Sequence, residues 1–207
     1  MRLASEMYKH VFKPLTDYLG ALLLLPFVLL VIAIFGPVIY FTDRGPIFYN
    51  APRTGLRCRQ FKMFKLRSMY KDAADLRNAD GSTYNAGDDP RVMPIGRFLR
   101  KTSIDELPQL FNILLGQMSL VGPRPTMGGV FTDFDRLEGD LQQRFTVKPG
   151  ITGYAQAYFR NSIPQEEKFH WDAYYAAHVG FILDLKIMLR TAAAVVMRRN
   201  IYSTQKS

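Results

Sequence analysis

Two adjacent carboxylates, Asp105 and Glu106, follow two cations, Arg100 and Lys101, in the stretch Arg100-Lys-Thr-Ser-Ile-Asp-Glu-Leu-Pro108. Adjacent carboxylates can hold a Mg²⁺ ion that bridges phosphate oxygens, while N–H groups at a helix start and nearby cations attract phosphate. A carboxylate can also act as a covalent nucleophile on phosphorus once cations neutralise the repulsion between the anions. These residue types therefore indicate phosphoryl-transfer chemistry.

A purely structural role for the same pair is also open. Ser103-Ile-Asp-Glu106 matches the S-x-x-E capping box, and acidic residues are favoured in the first turn of any helix. Pro108 also fits a helix start, with Asp105 as the cap. Under this interpretation the two carboxylates stabilise a helix and do no chemistry.

Further cations could join the pair. Lys62, Lys65 and Arg67 alternate along a predicted strand, and Arg124 lies between two prolines in Gly122-Pro-Arg-Pro125. Each of these side chains alone is more often a solvated or lipid-headgroup charge than a ligand. The three histidines suggest no site that we can name.

The secondary-structure elements that must position these residues are those of a small α/β or helix-rich domain. Short strands are predicted at 47–50 and 59–64, with a turn at 53–55. Rigid loops are predicted at 122–125 and 149–153, because both mix proline with glycine. The patterns also predict helices at 95–101, from 107 to a stop at Gly116, at 166–177 and at 179–197, a helical turn at 72–77 and a loop at 80–90.

An N-terminal apolar segment predicts membrane insertion. Residues 18–41 contain no charged side chain, and as a straight helix they would be roughly 36 Å long, enough for a hydrocarbon core of about 30 Å. Pro26 should kink this helix. Basic residues lie on both sides of the segment, so a re-entrant hairpin satisfies the positive-inside bias and a kinked span remains the alternative. The later segment 179–197 carries charges and reads as an interfacial or packing helix.

The composition fits one ordinary domain with an appendage. The chain has 207 residues, 48% of them hydrophobic, which excludes a disordered protein. A single cysteine, Cys58, excludes an intrachain disulfide and argues against a zinc site. The net charge is +9, and three of the 27 Lys and Arg and two of the 18 Asp and Glu lie in residues 1–42. The remaining +8 therefore belongs to residues 43–207.

Four ordered blocks resemble the small monotopic phosphoglycosyl transferases of bacteria, the bacterial sugar transferase family. The most specific block runs from Asp89 through the Asp-Glu pair to the Gly-Pro-Arg-Pro motif at Pro125. The other blocks are Phe61-Lys-x-x-Lys-x-Arg-Ser-Met69, Val147-Lys-Pro-Gly-Ile-Thr-Gly153 and Phe181-Ile-Leu-Asp-Leu-Lys-Ile187. The resemblance covers nearly the whole chain.

The resemblance implies a re-entrant membrane helix in residues 1–42 and a catalytic domain in residues 43–207, on the cytoplasmic face of the bacterial inner membrane. The domain would be α/β and helix-rich, with a short sheet and interfacial amphipathic helices. Asp105 would attack the sugar-bearing phosphate of a UDP-sugar, release UMP, and pass the phosphosugar to polyprenyl phosphate as the first membrane step of surface glycan synthesis. Nucleic acid would not be a partner, and a homodimer is possible.

The same resemblance implies roles for individual residues. Asp105 would be the nucleophile, and Glu106 would serve a Mg²⁺ ion or the incoming phosphate, so both carboxylates are metal candidates. The substrate-binding candidates are Arg100, Lys65, Arg67, Arg124 and Arg160. At the membrane bend Leu25-Pro26 replaces the Ser-Pro of many relatives, and bulky residues precede Arg160 in Tyr158-Phe-Arg-Asn161.

A second class of function remains open. A non-catalytic anchored module would use the basic surface on anionic lipid or nucleic acid. Its binding should weaken steeply with salt and ignore Asp105. A non-catalytic basic anchor would not require the Asp-Glu, Gly-Pro-Arg-Pro and Pro-Gly-Ile-Thr-Gly motifs that this chain contains.

Overall fold

A computed structural model describes residues 6–74, 76, 89–160 and 162–197 of the chain. A π-helical stretch, Tyr8–Phe12, leads into the long helix α1 (Lys13–Asp43), which continues through Pro26 and Pro37. It ends where Arg44 adopts a left-handed conformation with φ of 58°. Together these residues form one helix long and apolar enough to cross a membrane by length and composition.

The helix α1 is nevertheless packed along the rest of the protein. Near its start Lys13 donates to Asp184 at 2.7 Å, and Asp17 accepts a hydrogen bond from the Ser119 hydroxyl at 2.6 Å. At its end Asp43 pairs with both terminal nitrogens of Arg67 at 2.6 Å. Both ends of the helix therefore contact the same domain.

Two small sheets make up the strand content of the described chain. The first is antiparallel in the order β2 (Gln60–Met63), β1 (Ala51–Thr54), β4 (Thr126–Met127). The second pairs β3 (Ser119–Val121) with β5 (Gly150–Thr152) in parallel, aligning Ser119 with Gly150 and Val121 with Thr152.

Six helices follow α1 in the described ranges and surround the sheets. They are α2 (Pro94–Thr102), α3 (Gln109–Leu114), α4 (Gly139–Arg144), α5 (Tyr154–Tyr158), α6 (Gln165–Ala177) and α7 (Phe181–Val196). A cluster containing Ala21 and Val28 of α1 joins Leu110 and Ile113 of α3. A second cluster packs α1 against Met93 and Leu99, so the apolar helix belongs to the domain core.

Most predicted helices are confirmed, with shifted boundaries, but the strand predicted at 47–50 is wrong, because this stretch contains only the isolated bridge Phe48–Leu66 and β1 begins at Ala51. The helices at 95–101, 107–115, 166–177 and 179–197 are present as α2, α3, α6 and α7, and Gly116 stops α3 with a φ of 72°. The predicted turn at 53–55 is wrong at its start, because Arg53 and Thr54 pair with β2 and β4. The rigid loop expected at 149–153 is also partly a strand, β5. The helical turn predicted at 72–77 is wrong for the described residues 72–74 and 76, which are not helical, and most of the loop predicted at 80–90 lies outside the described residues.

The fold is thus helix-rich α/β with small sheets and one long apolar N-terminal helix. Many apolar side chains of α1 are exposed, and Leu23 is 80% exposed. An exposed apolar surface of this kind marks a membrane or protein contact. The hairpin bend and the membrane topology remain predictions.

Candidate active site

The two carboxylates lie on a tight turn between two helices. A 3₁₀ turn, Ile104–Glu106, connects α2 to α3 and begins directly after Ser103, whose φ is 57°. The peptide N–H of Leu66 donates to the Asp105 carbonyl at 2.9 Å. The turn is thereby fixed to the segment that follows β2, which carries Lys65.

The capping interpretation of the pair is wrong. Neither Ser103, at the start of the 3₁₀ turn, nor Pro108, at the start of α3, makes a side-chain capping hydrogen bond. Ser103 instead ends α2 in a left-handed conformation, which disrupts the expected box. The two carboxylates are therefore left for interactions other than helix capping.

Lys65 holds the two carboxylates together. Its ammonium nitrogen lies 2.9 Å from Asp105 Oδ2 and donates to Glu106 Oε1 at 3.4 Å. The contact with Asp105 is a buried ion pair, and Oδ2 has no other partner in the described part of the chain. A buried carboxylate oxygen with one cation as its partner is costly, which suggests a functional reason for its presence.

Burial and charge separate the ionisation of the two acids. Burial raises the pKa of Asp105, although Lys65 opposes this shift. Burial also acts to raise the pKa of Glu106, but Lys65 and Arg124 outweigh it and lower that pKa to about 2. Burial would lower the pKa of Lys65, yet the two carboxylates raise it. The cluster thus contains a charged lysine, a strongly acidic Glu106 and a more basic Asp105.

Arg124 completes the cluster from the second sheet. It follows β3 in the Gly-Pro-Arg-Pro motif, and one of its terminal nitrogens donates to Glu106 Oε1 at 3.4 Å. Its side chain is 58% exposed, whereas the Asp105 side chain is 3% exposed. The guanidinium is therefore accessible to an anion that approaches Glu106.

Arg100 lies close to the same carboxylates. Its Nε donates to the Ser68 hydroxyl at 2.9 Å, and its charge helps to lower the pKa of Asp105. A Cβ on Gly96 would lie 1.9 Å from the Ser68 carbonyl oxygen, so only glycine allows α2 to approach this segment. Close packing of α2 therefore sets the position of Arg100.

Arg67 and Arg160 lie in other surroundings. The Arg67 guanidinium is 6% exposed and pairs with Asp43 at the end of α1, which makes it a structural clamp in this arrangement. Arg160 lines an open groove of about 360 Å³ with Arg190 and Tyr158. The groove has no lining residue in common with the carboxylate cluster.

Three residues near the site were not singled out from the sequence. Asn112 is fully buried and bonds the backbone of Lys62 and Phe64, which fixes the strand before Lys65. Ser68 accepts the bond from Arg100, and Arg144 bonds the Arg124 carbonyl. Their polarity was visible in the sequence, but their burial was not.

The donor set fits a Mg²⁺ ion shared with substrate phosphates. Within the described ranges no group of three or more His, Cys, Asp or Glu residues could hold a metal ion alone. Mg²⁺ commonly binds one or two carboxylates and takes its other ligands from phosphates and water. Asp105 and Glu106 supply such a pair.

A buried carboxylate between cations, beside an apolar helix, is the arrangement expected of a membrane-associated enzyme that handles phosphate. The profile of the family described as bacterial sugar transferase matches residues 8–198. The chain therefore belongs to the bacterial sugar transferase family.

Individual relatives agree with this membership. The uncharacterized sugar transferase EpsL of Bacillus subtilis is 38% identical over 94% of this chain and 92% of its own length. The UDP-glucose:undecaprenyl-phosphate glucose-1-phosphate transferase of Xanthomonas campestris is 39% identical over 76% of this chain. The undecaprenyl-phosphate galactose phosphotransferase of Salmonella typhimurium is 35% identical over 77%. The chain spans 33% and 35% of the length of the last two relatives.

Proposed function

We propose that the protein transfers a sugar phosphate from a UDP-sugar to polyprenyl phosphate at the bacterial inner membrane. The observation that carries this proposal is the buried Asp105 carboxylate, whose Oδ2 pairs with Lys65 at 2.9 Å beside the Glu106–Arg124 pair. The substrates follow from the names of the relatives, two of which act on undecaprenyl phosphate. The exposed apolar face of α1 gives the enzyme access to a lipid substrate.

The first half-reaction makes a covalent intermediate. The ionised Asp105 Oδ2 attacks the sugar-bearing phosphorus, forming a P–O bond to the carboxylate while the P–O bond to the bridging oxygen breaks. The bridging oxygen leaves with its electron pair as part of UMP. Lys65 and Arg124 stabilise the negative charge that develops on the phosphate oxygens.

Lys65 must change partners for this attack. The Asp105 side chain is nearly inaccessible, whereas the side chains of Lys65 and Glu106 are 20% and 21% exposed. An approaching diphosphate competes with Asp105 for the lysine ammonium. Movement of the ammonium toward phosphate uncovers Oδ2 and leaves the carboxylate more nucleophilic.

The second half-reaction regenerates the carboxylate. A phosphate oxygen of polyprenyl phosphate attacks the same phosphorus, and the bond to Asp105 breaks with its electrons returning to the carboxylate. The product is a polyprenyl diphosphate sugar. Glu106, which stays ionised because its pKa is about 2, keeps Lys65 and Arg124 beside the reacting phosphate.

Asp105 and Glu106 would hold a Mg²⁺ ion together with substrate phosphates. When bound, the ion would reduce the repulsion between the carboxylate and the diphosphate. Arg100, positioned by Ser68, contributes a further positive charge near Asp105.

We also propose that α1 enters the membrane and returns to the cytoplasmic face. Its two ends contact one domain through Lys13 and Asp43, and basic residues flank both ends. A helix that crossed the membrane would place its ends on opposite sides. Contact of both ends with one domain supports a non-crossing arrangement.

The decisive experiment combines purified protein, polyprenyl phosphate, Mg²⁺ and a panel of UDP-sugars, with UMP release as the measurement. Release that depends on Mg²⁺ and Asp105, and transient labelling of Asp105 by a labelled donor, are the expected results. Salt-sensitive binding to anionic vesicles without UMP release from any donor would instead favour a non-catalytic basic anchor.

A further inference from the structure

Arg144 is a buried cation at the end of α4 that touches neither carboxylate of the candidate site. Its side chain is 2% exposed, and its guanidinium lies between the rings of Phe145 and Phe169, 4.7 and 4.6 Å from their centres. One terminal nitrogen donates to Asp172 Oδ2 at 2.9 Å and to the Arg124 carbonyl at 2.8 Å. Arg144 therefore connects a buried ion pair to the main chain of a site residue.

Stability alone does not account for this arrangement. Removing two charges from water is costly, and apolar residues of similar volume often replace a buried ion pair with no loss of stability. The Nε of Arg144 is also buried without a hydrogen-bond partner in the described chain. The hydrogen bond to Arg124 is the contact by which Arg144 reaches the candidate site.

The main chain on both sides of Arg124 is held by neighbouring strands, and Arg144 holds the carbonyl between them. Before Arg124, the Gly122 N–H donates to the Thr152 carbonyl and the Gly150 N–H to the Pro123 carbonyl. After it, β4 pairs with β1. Prolines on both sides restrict the backbone of Arg124. Between these two anchors, the hydrogen bond from Arg144 holds the Arg124 carbonyl at 2.8 Å.

We propose that Arg144 is a positioning residue that fixes the carbonyl of Arg124 and so holds the Arg124 guanidinium beside Glu106. This inference rests on the proposed function, in which Arg124 stabilises charge on the transferred phosphate. Arg144 itself does not touch the substrate.

The test is a double-mutant cycle between Arg144→Lys and Arg124→Ala. Lysine keeps the charge beside Asp172, but its side chain is shorter, so its ammonium does not reach the position of the terminal nitrogen that contacts both partners. We expect Arg144→Lys to lower kcat/KM about tenfold in the wild-type background, the scale of one hydrogen bond. In the Arg124→Ala background the same change should lower it less than about twofold. A tenfold loss in both backgrounds would overturn the proposal.

Arg67→Lys is the matched control, because Arg67 is also a buried, ion-paired arginine but contacts Asp43 instead of the Arg124 loop. Arg67→Lys should change kcat/KM by the same factor with and without Arg124→Ala. If Arg67→Lys and Arg144→Lys show equal coupling to Arg124→Ala, general destabilisation, and not positioning, causes the loss of kcat/KM.

A second readout does not depend on turnover. A crystal structure of Arg144→Lys should show the Arg124 guanidinium displaced from Glu106, to which it donates at 3.4 Å in the unaltered protein. An unchanged Arg124–Glu106 contact in the variant would refute the positioning role. Absence of UMP release by the wild-type protein would refute the proposed function instead, and the structure of the variant would still decide the role of Arg144.

Discussion

At the scale of single residues, the site separates two neighbouring carboxylates into different roles. Asp105 is buried and its pKa is raised, whereas Glu106 is partly exposed and its pKa is about 2. Environments that separate the pKa values of paired acids are characteristic of active sites. The arrangement favours Asp105 as the reacting group and Glu106 as a permanent anion.

Asp105→Asn should abolish UMP release while raising the thermal midpoint of unfolding or leaving it unchanged. The folded protein disfavours ionised Asp105, so the carboxylate lowers stability at neutral pH; this cost decreases as the pH falls below the raised pKa and is absent below the ordinary pKa of the unfolded chain. A neutral amide removes the cost. Calorimetry and the UMP assay would check both parts, and a lower midpoint or normal turnover would contradict the assignment.

Lys65→Met should shift the acid limb of the activity profile to higher pH. Asp105 must be ionised to attack, and Lys65 opposes the increase in its pKa that burial causes. Loss of the lysine raises that pKa further, so activity is lost at a higher pH as the solution is acidified. The pH dependence of kcat/KM measures the shift. Lys62→Met, which removes an exposed lysine of the preceding strand, should leave the profile in place.

At the scale of elements, the site depends on two helices and two sheets meeting closely. The turn that carries Asp105 lies between α2 and α3, Lys65 follows β2, and Arg124 follows β3. The turn contributes both carboxylates, and the other two segments contribute one cation each. A displacement of any element changes the distances within the cluster without removing a reacting residue.

Gly96→Ala should lower both stability and activity. The added Cβ would meet the Ser68 carbonyl at 1.9 Å, which forces α2 away from the residue that holds Arg100. Overpacking of this kind costs about 1–3 kcal/mol. Denaturant unfolding and the UMP assay would measure the two losses. Gly180→Ala is the control, because its Cβ would meet only the His178 carbonyl at 3.8 Å, and equal losses in both variants would refute this account.

At the scale of the whole molecule, α1 is at once a membrane element and part of the core. Val28, Val31 and Ile39 pack into the domain, while other apolar side chains of the same helix remain exposed. Lipid would cover the exposed apolar face of α1, and the domain covers its buried face. The domain should therefore be held against the membrane surface and not suspended on a flexible linker.

Cysteine labelling tests the resulting topology. In a Cys58→Ser background, Glu6→Cys and Tyr49→Cys should both react with a membrane-impermeant maleimide in inverted vesicles and neither in right-side-out vesicles. Both positions are exposed and flank the apolar helix. Leu23→Cys, at an 80% exposed apolar position, should resist the reagent from either side. Labelling of the two flanks from opposite sides would establish a crossing helix.

The sequence by itself determined the helix-rich class, the apolar N-terminal helix and most helix positions, because hydrophobic spacing and breakers such as Gly116 act locally. Through their motifs, it also indicated that the Asp105–Glu106 pair and Arg124 belong to the same site. Only the tertiary structure decided that the pair does not cap a helix, that Arg67 clamps α1, and that Arg144 reaches the Arg124 loop. These facts depend on burial and on contacts between distant segments, and side-chain type and local spacing do not determine either.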